Sequence, residues 1–176
     1  SLKRHPLIEK DFSTLLAKGK KTLSAYHDHY TSSWNYNVAT ELKVKVPFGV
    51  DGNEIILRGA LDKLELQEDP HEVVVVDYKT RSPKSRNWIL GETADSEGNY
   101  HRQLVFYRLL LDASPELGYR MKAGQIDFVE PNDRGIFKKE EFVISEAEVG
   151  ELRETVARVA REIMDFAFWD KECGDG

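Results

Sequence analysis

The chain has 176 residues, 40% of them hydrophobic and 32% charged, which is enough apolar material for one domain to bury a core without staples. A net charge of −6 argues against a protein that coats nucleic acid non-specifically, though not against a locally basic groove. One cysteine, Cys173, excludes an internal disulfide framework; with no apolar run long enough to span a membrane and no leader pattern at Ser1, a cytoplasmic protein is expected.

Residues 7 to 30 place Leu7, Ile8, Phe12, Leu15, Leu16, Leu23, Tyr26 and Tyr30 at helical spacing, with Gly19 as a weak point, and predict one long or two short helices. The period then shortens. "ELKVKVPF" (41–48) alternates, with Leu42, Val44, Val46 and Phe48 on one face and Glu41, Lys43 and Lys45 on the other, as in a half-buried strand. Asp51-Gly52 marks a hairpin turn, and "EIILRGALDKLEL" (54–66) is the second strand. "EDPH" turns the chain into a third, "EVVVVDYKT" (72–80), completing a meander.

A polar loop is predicted from about 81 to 99. "NYHRQLVFYRLLLDAS" (99–114) then sets Leu104, Tyr107, Leu110 and Leu111 on one helical face. "AGQIDFVEP" (123–131) reads as a strand, and "IFKKEEFVI" (136–144), charged in its middle, as an edge strand. Ser145 with Glu148 forms a capping box that opens a closing amphipathic helix over 145–169. The expectation is an α/β fold, a mixed central sheet of about five strands flanked by helices, forming a single domain over 1–176 with its core at about 7–168. The abrupt "SLKRHP" start and the ragged "KECGDG" end suggest a piece of a longer polypeptide.

The third strand poses the functional question. Four consecutive valines suit burial on both faces, yet the run ends in Asp77 and Lys79. If the two turns centre on Asp51-Gly52 and Asp69-Pro70, Glu41 falls opposite Asp62 and Asp62 opposite Asp77, a row of three carboxylates with Lys79 on the same face. Opposed like charges destabilise a sheet, and buried carboxylates need a cationic partner. A divalent ion of the magnesium type supplies one, and Lys79 beside it can hold a nucleophilic water and balance charge on a pentavalent phosphate. The chemistry indicated is phosphodiester hydrolysis. A strand-end ion pair of Asp77 with Lys79, a surface Asp62 and a capping Glu41 would account for the same residues without chemistry.

"GALD" (59–62), "DYKT" (77–80) and "QLVFY" (103–107) together resemble the ordered motifs of the PD-(D/E)-x-K nuclease superfamily, specifically RecB-like nuclease domains at the C-terminal end of UvrD/Rep-type helicases. The resemblance covers about residues 7–168 and implies a core in helix-strand-strand-strand-helix-strand order. It implies that Asp62 and Asp77 bind Mg²⁺ or Mn²⁺ with the Tyr78 carbonyl as a further ligand, and that Lys79 is the catalytic lysine. Gln103 would orient Lys79 or a phosphate, Tyr107 would hydrogen-bond nearby, and Glu41 would match an acidic residue before the first strand. Relatives usually carry a metal-binding histidine four residues after a glycine in the first helix; that position after Gly19 is Leu23, and His27, one turn on, is the substitute ligand considered. Many also hold an iron-sulfur cluster on four cysteines, and with Cys173 alone none is expected in this chain.

Arg81, Lys84, Arg86, Arg102 and Arg108 gather around the third strand, its loop and the next helix. They suit a solvated loop, or, with Trp88 and Tyr100 interleaved, a track that guides a single strand by phosphate contacts and stacking. Nothing resembles a base-reading helix, so little sequence specificity is expected. The leading expectation is metal-dependent cleavage of DNA, single-stranded or at duplex ends, by a module of a helicase-nuclease. The alternatives are a site-impaired nuclease fold that binds DNA or docks on its helicase, and an unrelated partner-binding domain whose acidic row is incidental.

Overall fold

A computed structural model describes residues 9–167 and Trp169. Leu7, Ile8 and Cys173, which figure in the sequence reading, lie outside the described residues.

Five strands form one sheet in chain order: β1 (Val38–Val50), β2 (Asn53–Leu66), β3 (Glu72–Lys79), β4 (Arg120–Phe128) and β5 (Lys138–Phe142). Only the β3–β4 pair is parallel; the others are antiparallel. The first hairpin is fixed by Asp51 and Gly52, both at positive φ (50° and 81°), as a two-residue loop between right-twisted strands requires. A parallel step from β3 to β4 needs a long crossover. Helices α2 (Arg86–Leu90) and α3 (Asn99–Asp112) lie within it, between α1 (Glu9–Tyr30) at the start and α4 (Glu146–Met164) at the end.

The main core forms where α3 covers one sheet face. Leu104, Leu109, Leu110 and Leu111 pack with Val73 and Val75 of β3, Leu61 and Leu64 of β2 and Ile126 and Phe128 of β4. The valine run is buried on both sides, because Val74 and Val76 pack with Ala123 and Tyr78 on the opposite face. The predicted capping box is present in α4: Ser145 Oγ accepts from Glu148 N, and Glu148 Oε2 accepts from Ser145 N.

Three details depart from expectation. The polar loop contains α2, capped by Ser145's counterpart there, Ser85, whose Oγ accepts from Trp88 N, and closed by Gly91 at φ 82°; five residues are too few for a periodic signal. In α1 the apolar periodicity marks a helix but not a buried stripe, since Leu15, Leu16 and Leu23 are exposed and Tyr26 is buried. The third departure concerns β1 and β2.

Along the hairpin end of these strands, Leu42, Val44 and Val46 face the core opposite Leu61, Gly59 and Leu57. Past Glu41 the inward positions become Ala39 on β1 and Leu64 and Leu66 on β2. Both strands therefore switch inward parity together, and the register is the same on either side. The switch sits where the ladder skips the Glu41–Asp62 pair, with Glu41 at φ 54°. Strict alternation from Leu61 would have left Asp62 on the outer face; the switch carries it to the side of Leu64 and α3.

Candidate active site

The charged end of β3 is buried under α3. Asp77 is 2% exposed. Its Oδ1 accepts a 3.0 Å hydrogen bond from Tyr107 Oη, and Lys79 Nζ stands 2.6 Å from Oδ2. Lys79 donates to Gln103 Oε1 at 2.7 Å, and Gln103 Nε2 donates to Tyr107 Oη at 2.6 Å. Four side chains thus close a ring whose polarity is set by Lys79, which can only donate. Gln103 must accept from it and so presents its amide N–H to Tyr107, leaving the phenol proton for Asp77. The Lys79 ammonium, one N–H of which goes to Gln103, is the ion-pair partner of the buried Asp77 Oδ2, which has no aligned hydrogen bond.

Asp62 completes the group from β2. Its Oδ2 accepts from the Tyr78 backbone N at 2.9 Å, a bond that ties the two strands just beyond Lys63 opposite Val76. Burial pushes the Asp77 carboxyl above its ordinary range; Lys79 and Tyr107 oppose this, and the Asp62 charge adds to it. Burial and the Asp77 charge push the Tyr107 phenol up as well, so it stays a proton donor. The Tyr78 side chain lies on the opposite face, edge-on to Tyr26 at 6.4 Å.

Two predicted ligands are not brought in. Glu41 was expected to extend the carboxylate row, but its left-handed backbone takes it out of the ladder and it is exposed. His27 points elsewhere: its Nδ1 is 3.2 Å from Asp28 Oδ1, and its ring packs edge-on to Trp34. Leu23 is 60% exposed. Among the described residues, no three Asp, Glu, His or Cys side chains converge as a metal cluster.

The basic residues divide into two sets. Arg81 and Lys84 cluster near the ring: Lys84 Nζ lies over Trp88 at 4.8 Å, and Arg81 lies over the same indole at 5.4 Å while reaching Tyr100 Oη at 3.4 Å. Arg86, Arg102 and Arg108 are spent on the fold. Arg86 pairs with Glu140 and bonds Glu141 O; Arg102 bonds Asn99 and Glu97 O; Arg108 bonds Ile144 O and Glu146, tying α3 to the start of α4. Tyr100, noted in the sequence only as an interleaved aromatic, has a further position: Lys79 Nζ sits 4.4 Å from its ring centroid, and Trp88 packs edge-on behind it at 5.2 Å. It precedes Gln103 by three residues on α3, so helical spacing carried the signal.

The other sheet face holds a polar group that the sequence did not disclose. Asp127, 0% exposed, accepts from Tyr26 Oη at 2.5 Å and pairs with Lys139 at 3.1 Å. Tyr78 lies opposite Asp127 in the ladder, so this carboxylate is back to back with the Asp77 group, separated by the sheet. It fastens α1, together with the Lys18–Glu130 pair.

A family model for the PD-(D/E)XK nuclease superfamily matches residues 3–175. The chain belongs to this superfamily. Among solved structures, the crystal structure of SSO0001 is similar, with a TM-score of 0.50 and 17% sequence identity over 88% of this chain and 61% of that one. At that identity the likeness concerns the fold, and the chain spans about three fifths of that structure's length. Among curated proteins, none matched. Of the superfamily's motif residues, Lys79 and Asp77 lie within the buried ring, and Asp62 stands beside it on β2. Among the described residues, no helix is long and apolar enough to cross a membrane.

Proposed function

We propose that this PD-(D/E)XK domain hydrolyses DNA phosphodiester bonds with the help of a divalent cation. The observation that carries the reading is the buried Asp77 Oδ2, paired with Lys79 but lacking an aligned hydrogen-bond donor, beside a second carboxylate, Asp62. Mg²⁺ is commonly held by one or two protein carboxylates with water and substrate phosphate, so the donor set fits Mg²⁺ or Mn²⁺. Asp62, Asp77 and the Tyr78 carbonyl would hold the ion. When bound, it would supply Lewis-acid charge and lower the pKa of a coordinated water.

The chain's own residues do the positioning. Tyr107 fixes the Asp77 carboxylate through Oδ1, so that a metal would share Oδ2 with the Lys79 ammonium beside it. Gln103 holds the Lys79 ammonium in one direction, where its charge can stabilise the anionic phosphate as charge builds up on it. Trp88 and Tyr100, flanked by Arg81 and Lys84, offer stacking surfaces and phosphate contacts to a single strand or a frayed duplex end. We assign the domain to a RecB-like helicase-nuclease acting in DNA repair or recombination in the cytoplasm, on the strength of the motif order.

The test is a calorimetric titration of Mn²⁺ into wild type and Asp77→Asn, followed by cleavage of single- and double-stranded DNA with Lys79→Ala as control. Heat in wild type alone, with cleavage lost in Lys79→Ala, supports the reading. A second reading, a catalytically impaired module that binds DNA or docks on a helicase, is favoured by the exposed Leu23 and the displaced His27. It predicts metal heat or DNA binding without cleavage. No metal-dependent heat would sink the metal site altogether.

A further inference from the structure

We infer that the outer face of the β1–β2 hairpin is a second nucleic-acid contact, one that grips the sugar–phosphate backbone away from the Asp77 ring. Lys45 and Arg58 are directly opposed in the ladder, and Lys43, opposite Ala60, is two residues from Lys45 on the same face. All three are exposed. Directly opposed like charges weaken a strand pair. The cation cluster does not follow from a shortage of acids, since the chain holds 31 of them against 25 Lys and Arg. Elsewhere cations of the sheet are matched: Arg120 with Asp69 and Glu72, Lys138 with Glu140, Lys139 with Asp127. None of the described residues pairs with Lys43, Lys45 or Arg58.

The three cations wall a shallow groove that is completed by Val44, Gly59 and Ala60. Ala60, on the same face as the cations, has only a methyl to raise its floor, so a narrow chain can lie between the charges. The pattern fits a polyanion with regularly spaced charges, and a phosphodiester strand has this form. The groove and the ring are joined by one strand: Arg58 is four residues from Asp62 on β2, about 13 Å at strand rise. In a nuclease the natural occupant is a flank of the DNA being cut, so the assignment rests on the proposed function for its ligand but not for its geometry.

The experiment measures the binding of a tailed DNA duplex by fluorescence anisotropy in EDTA across a salt series. It compares wild type, the triple variant Lys43→Gln, Lys45→Gln, Arg58→Gln, and the charge-preserving pair Lys43→Arg, Lys45→Arg. Hydrolysis of a dinucleotide reporter, too short to reach the hairpin, is followed in parallel with Mn²⁺. The expected result is a log–log salt slope that becomes shallower by about 2 to 3 in the triple variant. The charge-preserving pair should bind as wild type does, and the reporter rates should be equal. An unchanged slope in the triple variant overturns the inference and leaves an acidic protein surface as the occupant. A shallower slope with no cleavage of the tailed duplex by wild type in Mn²⁺ upholds the groove and sinks the nuclease reading.

Discussion

Lys79 at the end of the central strand and Gln103 on the crossover helix, 24 positions apart, share a 2.7 Å hydrogen bond that gives the whole polar ring its direction. Gln103→Leu removes both the acceptor for Lys79 and the donor to Tyr107 while leaving the core intact. Misplacing a group at a reacting centre can cost roughly 10²-fold. The expected outcome is a kcat lowered by about that factor with KM little changed, measured by steady-state cleavage of a labelled single strand. A variant whose kcat stays at the wild-type value would remove Gln103 from the machinery.

Tyr100 stacks its ring on the Lys79 ammonium, so the ring rather than its hydroxyl should matter. Tyr100→Phe should cleave at close to the wild-type rate. Tyr100→Leu should be slower by about 2- to 30-fold, the range that a cation–π contact of 0.5–2 kcal/mol corresponds to. Trp88→Ala should weaken single-strand binding by roughly 1–3 kcal/mol if a base stacks there, read by anisotropy.

Burial raises the Asp77 pKa in the folded protein, and the sign of its effect on stability follows. The fold prefers the neutral carboxyl, so this contribution is fully present below about pH 4 and is lost as the pH rises through the raised folded value. Asp77→Asn keeps the shape and removes the titration. Urea melts in EDTA should show Asp77→Asn gaining stability relative to wild type between pH 4 and neutrality, while losing its Mn²⁺ heat. A difference that runs the other way would show that the Lys79 ion pair outweighs desolvation.

On the far side of the sheet, Tyr26→Phe deletes the donor to Asp127 and leaves that buried carboxylate with Lys139 alone. A loss of about 1–3 kcal/mol is expected from the unmet acceptor, seen in urea unfolding. Since Tyr26 is the buried residue among those described in α1, faster amide exchange along that helix should accompany it.

Gly124 packs against α3 so closely that a Cβ there would meet Met121 Cε at 2.7 Å and Leu104 Cβ at 3.0 Å. Gly124→Ala should cost about 1–3 kcal/mol by overpacking, whereas Gly49→Ala, with nothing within 4 Å, should be close to neutral. Paired thermal melts decide it.

Much of this molecule is legible from local chemistry. The alternation of Leu42, Val44 and Val46, the Asp51-Gly52 turn, the valine run and the Ser145–Glu148 box each act over a few residues, so strands, meander, register and closing helix follow from them. Helical spacing likewise places Gln103 and Tyr107 on one side of α3. The site is only partly legible, because it depends on where backbones leave regularity. Alternation by itself groups Asp62 with Glu41 on the outer face; the left-handed Glu41 and the parity switch beside it turn Asp62 inward and leave Glu41 in solvent. The same holds for the cations, since sequence proximity groups five of them, while packing sends Arg86, Arg102 and Arg108 to hold β5, the α3 N-terminus and α4. Asp127 and Tyr26, 101 positions apart, meet because the sheet's second face needs a cover, a demand that no local pattern encodes.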